Sequence, residues 1–401
     1  MEQTIIKNRV GKPVTGDDFF DRAREQRSLW NRIDTDNVLL LAPRRVGKTS
    51  LMYRLRDTAE QHGFRAVYLS VAGERDELGF VRALYEAIAS LKDTASVLER
   101  IKAGPLGKLF KRMDVKKVDV YGLNIEFADH EEAFRRWSEL GQALHESLIA
   151  LNNRCLLMVD ELPIFVLSLM RQDRERARIF LDWFRQMRLG YDSDHIRWLL
   201  AGSIGLDTVT ARHNLQDTIN DLYLFGLDAF SEPDADAFLL GLSSTYKLPL
   251  SAEVRAYILK RLGWPIPFFL NLIFSQLRDE DSQAITTDTV DRAFDALMSP
   301  TKKAHFDYWR QRLHDELGQP EDGWALRLLG AIARSPEGAT RQTLGQLLRE
   351  ETNAELIPQE RLTFLLDTFQ SDGYTLYDPD SKRHRFRSPL LREYWVRRGY
   401  A

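Results

Sequence analysis

Residues 42–50 read Ala-Pro-Arg-Arg-Val-Gly-Lys-Thr-Ser, a run whose residue types and spacing suit a phosphate chain. A turn that opens a helix aims successive backbone N–H groups at one point, and the positive helix end adds to their pull on an anion. Gly47 lets the backbone come close, Lys48 would reach the β- and γ-phosphates, and Thr49 offers a hydroxyl to Mg²⁺. Pro43, Arg44, Arg45, Val46, Gly47, Lys48, Thr49 and Ser50 are therefore the expected nucleotide contacts, with Ala42 where the pattern has its first glycine.

A second constellation completes this chemistry. Leu156-Leu157-Met158-Val159 is an apolar run ending in Asp160-Glu161. Asp160 would hold Mg²⁺ through water beside Thr49, and Glu161 would polarise the attacking water. A third apolar run, Trp198–Ala201, ends in Gly202-Ser203, and Ser203 is the candidate to orient that water or contact the γ-phosphate. The expected catalytic set is thus Glu161, Ser203 and Lys48, the metal set Thr49 and Asp160, and the cofactors ATP and Mg²⁺. An acid pair at the strand tip favours ATPases of the additional-strand type. No guanine-reading Asn-Lys-x-Asp sequence is present, and the eight histidines show no ligand spacing.

These residues need a scaffold that brings strand tips together. Val38–Leu41, Ala66–Val71, Cys155–Val159 and Ile196–Ala201 read as strands. Asp17–Ile33, Lys48–His62, Glu77–Leu91, Glu131–Leu151 and Arg174–Arg188 read as helices between them. Strands alternating with helices predict a parallel sheet flanked by helices. From Ser231 the strands stop, and Asp234–Leu242, Ala252–Leu262, Pro267–Arg278 and Thr287–Leu297 read as four helices. Trp324–Ala333, Arg341–Arg349 and Gln359–Gln370 then precede a hairpin of Tyr374–Tyr377 and Arg385–Arg387, an order that suits a winged helix-turn-helix. The expected fold is an α/β P-loop NTPase core over 1–230, a helical lid over 231–300, a connector over 301–320 and a winged helix over 321–401.

Composition bounds the rest. The 401 residues are 44% hydrophobic and 29% charged, with a net charge of −3, so any nucleic-acid argument must be local. The single cysteine, Cys155, allows no intrachain disulfide. No signal peptide or membrane-length apolar run is visible, so a cytoplasmic protein without a membrane partner is expected.

With the three motifs in order, residues 15–300 resemble the STAND and archaeal-type ATPases, relatives of the AAA+ and origin-recognition ATPases. Phe20-Asp21-Arg22-Ala23-Arg24-Glu25 resembles the family's lead-in beside adenine, with Ala23 where the family often has Glu. Gly263-Trp264-Pro265 resembles the Gly-x-Pro signature of its lid, which implies Pro265 near the nucleotide. No arginine follows in the position of a second sensor. The resemblance implies an ATP-driven switch that forms a homo-oligomer and works with a separate effector or sensor chain, and it leaves a role in bacterial defence open. Such oligomers often complete a neighbour's site with an arginine, for which Arg185, Arg188 and Arg212 are candidates.

The segment 382–398 carries Lys382, Arg383, Arg385, Arg387, Arg392, Arg397 and Arg398 against Glu393. A basic wing could follow a phosphate backbone, as in an ATP-dependent DNA loader or regulator of origin or transposition type. The same segment could instead pack internally, and the sequence leaves both open. A nucleotide-stabilised scaffold without turnover is a third possibility.

Overall fold

The computed structural model describes residues 5–90, 103–112, 117–118, 125–126, 130–150, 153–190, 193–202, 205–280, 284–352 and 359–400. They form two compact units, one of Arg22–Ala42 and Lys48–Leu227, the other of Met1–Asp21, Pro43–Gly47 and Asp228–Ala401.

The first unit is built on strands β1 (Val38–Leu41), β2 (Arg65–Ser70), β5 (Cys155–Asp160), β6 (Ile196–Ala201) and β7 (Tyr223–Gly226), all paired in parallel in the order β2-β5-β6-β1-β7. A separate two-stranded sheet joins β3 (Lys117–Val118) to β4 (Ile125–Glu126). Every residue of β5 and β6 is buried. That explains their unbroken apolar sequences, since a parallel strand covered on both faces has no solvent side. The register pairs Leu40 with Ala201, Val159 with Leu200, and Ser70 with Asp160. The carboxyl ends of β1, β2, β5 and β6 therefore share one sheet edge, where open α/β sheets place ligands. Strand β6 intervenes between β1 and β5.

Several details differ from the sequence reading; among them, the expected helix Glu131–Leu151 is two, His130–Arg135 and Trp137–Ile149. The first helix, α1 (Ala23–Ile33), follows a 3₁₀ turn at Gly16–Asp18 and starts only at Ala23 because Asp21 and Arg22 take left-handed backbone angles. Helix Leu162–Gln172 follows Asp160-Glu161 directly. Strand β7 adds a fifth member at the sheet edge.

In the second unit, helices Glu232–Tyr246, Ala252–Leu262 and Thr287–Leu297 begin at Ser231, Ser251 and Thr286, whose hydroxyls accept from backbone N–H groups of the first turn. Helix Pro267–Arg278 starts with proline, which has no N–H to satisfy. The chain's first residues pack here: Ile6 N–H donates to Thr245, and Asn8 N–H to the Tyr246 hydroxyl. Phe20 packs edge-on against Phe230 and Phe238.

Helix Ala304–Leu317 carries the fully buried Trp309, whose carbonyl accepts from the Tyr374 hydroxyl at 2.6 Å. Helices Glu321–Arg334, Arg341–Thr352 and Gln359–Ser371 then precede the hairpin of β9 (Thr375–Asp378) and β10 (Arg383–Phe386). Strand β8 (Ala339–Thr340) pairs with β10 on its other side. A last helix, Pro389–Arg397, is fastened by the Ser388 hydroxyl, which donates to the Leu262 carbonyl at 3.1 Å. Among the described residues no helix is long and apolar enough to cross a membrane.

Candidate nucleotide site

Strand β1 ends at Leu41 and helix α2 runs from Lys48 to Thr58. Gly47, in the turn joining them, has φ +101°, an angle that glycine takes without a Cβ penalty. Lys48 is the first helical residue; its side chain is buried, and its Nζ donates to the Ala42 carbonyl at 3.0 Å. A buried ammonium must be hydrogen-bonded, and here it is held along the turn.

Thr49 faces β5. Its Oγ1 donates to Asp160 Oδ2 at 3.0 Å. The Tyr68 hydroxyl, from β2, donates to the same oxygen at 2.9 Å, and the Glu161 N–H donates to Oδ1 at 3.0 Å. Asp160 is only 3% exposed, so these three donors replace the water that a carboxylate would otherwise hold. Burial, and then the adjacent Asp160 charge, push the Tyr68 phenol above its ordinary pKa, keeping it a donor at neutral pH. Tyr68 was not singled out by sequence; nothing in a lone strand tyrosine marks it until β2 is known to lie beside β5.

Glu161 adopts φ 61°, ψ 27° and caps helix Leu162–Gln172, with Pro163 in that helix's first turn. A left-handed glutamate costs about 1–2 kcal/mol relative to the right-handed region, and such strain clusters where a side chain must be aimed. Ser203 lies outside the described residues; Gly202 before it is buried.

Arg45 also takes positive φ, at 70°. Its guanidinium lies over the Phe268 ring at 4.2 Å and the Tyr308 ring at 4.6 Å. Arg45 can therefore serve phosphate through its backbone, while its side chain anchors the turn by cation–π contact. Pro43 and Val46 are buried, Ser50 is buried at the start of α2, and Arg44 is half-buried. Pro43 and the Trp264 ring both lie against Gly373, where an added Cβ would meet them at 2.9 and 2.5 Å. Pro265 accepts the Phe230 N–H at 3.3 Å, and the Trp264 indole N–H donates to Asp228 at 3.0 Å.

This donor set fits a magnesium–nucleotide. Mg²⁺ takes oxygen ligands and is often held by one carboxylate plus substrate phosphates, so Thr49 and Asp160 suffice on the protein side. Among the described residues no group of three His, Cys, Asp or Glu could hold a metal by itself. Burial pushes the Cys155 thiol up to about 11, which leaves it inert inside β5.

The candidate arginines separate. Arg188 has no exposed side chain; it pairs with Asp221 at 2.8 Å and donates to the Thr218 carbonyl, so it cannot reach a neighbouring subunit. Arg185 is 36% exposed and donates to Asn220; Arg212 is half-buried.

The basic C-terminal segment is largely engaged. Arg387 pairs with Asp228 and lies over Trp264, Arg383 donates to the Gly338 carbonyl, Arg397 pairs with Asp295 and Glu393, and Arg398 donates to the Ser299 carbonyl. Lys382 and Arg385 remain exposed. The exposed positions of helix Gln359–Ser371 include Glu360 and Asp367, which suit a phosphate surface poorly.

No family model and no curated protein matches this chain. Solved structures do. The Walker-type ATPase PABY2304 of Pyrococcus abyssi aligns with a TM-score of 0.62 at 17% identity, covering 97% of this chain and 99% of that one. The Aeropyrum pernix ORC2 protein, in ADPNP–ADP complexes, aligns with a TM-score of 0.53 at 14% identity, covering 99% and 97%. The fold is that of the Walker-type P-loop ATPases, extended over nearly the whole chain.

Proposed function

We propose that this protein binds and hydrolyses Mg·ATP and uses the nucleotide state as a switch over the assembly or activity of a complex. The observation that carries the reading is the 3.0 Å contact between Thr49 and Asp160, beside a buried Lys48 at the end of a glycine-bent turn. Backbone N–H groups of residues 43–49 and the Lys48 ammonium would hold the phosphates. Thr49 and Asp160 would hold Mg²⁺, which supplies charge neutralisation on the transferring phosphate. Glu161 would take the proton of the attacking water, and Ser203 would orient it. Pro265 would flank the nucleotide, as the resemblance to STAND and origin-recognition ATPases implies.

The switch reading draws support from the turn's own contacts. Arg45 sits on Phe268 and Tyr308, and Pro43 on Gly373, so a shift of the loop backbone on phosphate binding would displace helices that carry the C-terminal segment. We read that segment as a winged helix engaged within its own unit, and its paired arginines favour this over a duplex-binding role. A homo-oligomer in which Arg185 or Arg212 completes a neighbouring site, and an effector or sensor on a separate chain, follow from the family resemblance. So does a setting in bacterial defence. The test is phosphate release together with light scattering in ATP and in ADP. Turnover with a nucleotide-dependent mass supports the switch. ATP binding without phosphate release, even with a co-purified partner, reduces the protein to a nucleotide-stabilised scaffold.

A further inference from the structure

Asp160 must do two incompatible things if the ATPase reading, on which this inference rests, holds. Without metal it accepts the Thr49 hydroxyl; with metal bound, Thr49 would offer its oxygen to Mg²⁺ and Asp160 would accept from metal-bound water instead. A buried carboxylate that loses one of its donors must be held by the others, or it will rotate and misplace that water. On Oδ1 the holder is the Glu161 backbone N–H at 3.0 Å. On Oδ2, once Thr49 has turned, it is the Tyr68 hydroxyl at 2.9 Å.

We propose that Tyr68 is a positioning residue for the metal-binding carboxylate: its hydroxyl fixes Asp160 Oδ2 while Thr49 moves from Asp160 to Mg²⁺. Tyr68 is well placed to stay still. It stands on β2, whose register along β5 pairs Tyr68 with Met158, Leu69 with Val159 and Ser70 with Asp160. Its ring packs edge-on against Tyr53 of α2, with centroids 4.8 Å apart and planes at 71°. Tyr68 therefore joins the helix that carries Thr49, through its contacts with Tyr53, to the strand that carries Asp160, through its hydroxyl. Outer-shell partners of metal ligands commonly contribute about 10–100-fold to metal affinity. Because Asp160 would contact the metal through water, the low end of that range applies.

Tyr68→Phe keeps the ring on Tyr53 and removes only the hydroxyl. The test measures Mn²⁺ binding to the protein–ATP complex by electron paramagnetic resonance, and ATP binding in EDTA by calorimetry. The expected result is about tenfold weaker Mn²⁺ binding in Tyr68→Phe with unchanged metal-free ATP affinity. The apparent KM for Mg²⁺ should rise while kcat at saturating Mg²⁺ recovers. In an Asp160→Asn background, Tyr68→Phe should add little, because its target is already altered. Equal Mn²⁺ affinity in wild type and Tyr68→Phe overturns the assignment, as does an additive effect in the double variant. If the wild type itself binds ATP without any metal dependence, the ATPase reading falls and this inference with it.

Discussion

Glu161 offers a way to separate strain from catalysis. Its backbone sits at φ 61°, ψ 27°, where an L-residue is disfavoured by about 1–2 kcal/mol and glycine is not. Glycine loses more chain entropy on folding, an offset of about 0.5–1 kcal/mol. As a helix cap it is only a few tenths worse than the best residues, and no side-chain cap bond from Glu161 is lost. The net expectation for Glu161→Gly is a gain of about 0.5 kcal/mol, or about 1–2 °C in melting temperature for a unit of this size. Glu161→Gln keeps the strained backbone and should melt with the wild type. Both remove the carboxylate proposed to activate water, and on that proposal they should lower phosphate release by about 10²–10⁴-fold. The assays are scanning calorimetry and phosphate release on all three proteins. A Glu161→Gly protein that melts at or below the wild-type temperature refutes the strain argument. Wild-type turnover by Glu161→Gln refutes the assignment of the base.

The other expectations concern stability and the C-terminal segment. Gly373→Ala combines φ +82° with a Cβ forced against Trp264 and Pro43, so the unfolding free energy from urea titration should fall by about 1–3 kcal/mol; an unchanged value would count against that close approach. Burial lowers the His145 imidazole from 6.5 to about 4, so the unfolded chain takes up the proton first. Stability from this group is complete above about pH 6.5 and is lost as pH falls from there toward 4. Between pH 7 and 5 the wild type should lose on the order of 2 kcal/mol more than His145→Gln; parallel losses would show the histidine is not buried neutral. Arg387→Ala breaks the pairing with Asp228 and the stacking on Trp264, so it should lower the melting temperature and leave duplex DNA affinity as it was. Weaker, less salt-dependent duplex binding by that variant would instead support a DNA-contacting wing.

Much of this was readable in the residues because the sheet is parallel. Strands β5 and β6 are buried on both faces, so they appear as continuous apolar runs whose ends mark the site at Asp160 and Gly202. The glycine and lysine of the turn are equally local signals. Helix Leu162–Gln172 was missed because its sequence is apolar on nearly every face: Leu162, Phe165, Val166 and Leu169 form the buried stripe, but Ile164, Leu167 and Met170, only partly covered, blur it in the sequence. Strand β7 was missed because it is short and half-exposed, with Leu224 52% open at the sheet edge. The left-handed angles at Arg22, Arg45 and Glu161 have no residue-type signature, since arginine and glutamate show no local preference for that region. Tyr68 and the ring contacts of Arg45 needed strand order and helix packing, which motif spacing does not contain. The C-terminal arginines had two readings by charge alone; their partners Asp228 and Asp295 are far away in the chain.

The most direct measurement is a calorimetric titration of Mg·ATP into the wild type and into Lys48→Ala. A saturable heat in the wild type that disappears in Lys48→Ala, with both proteins folded by circular dichroism, is what a phosphate grip built on Lys48, Thr49 and Asp160 requires. Equal heats in the two proteins, or none in the wild type, would contradict it.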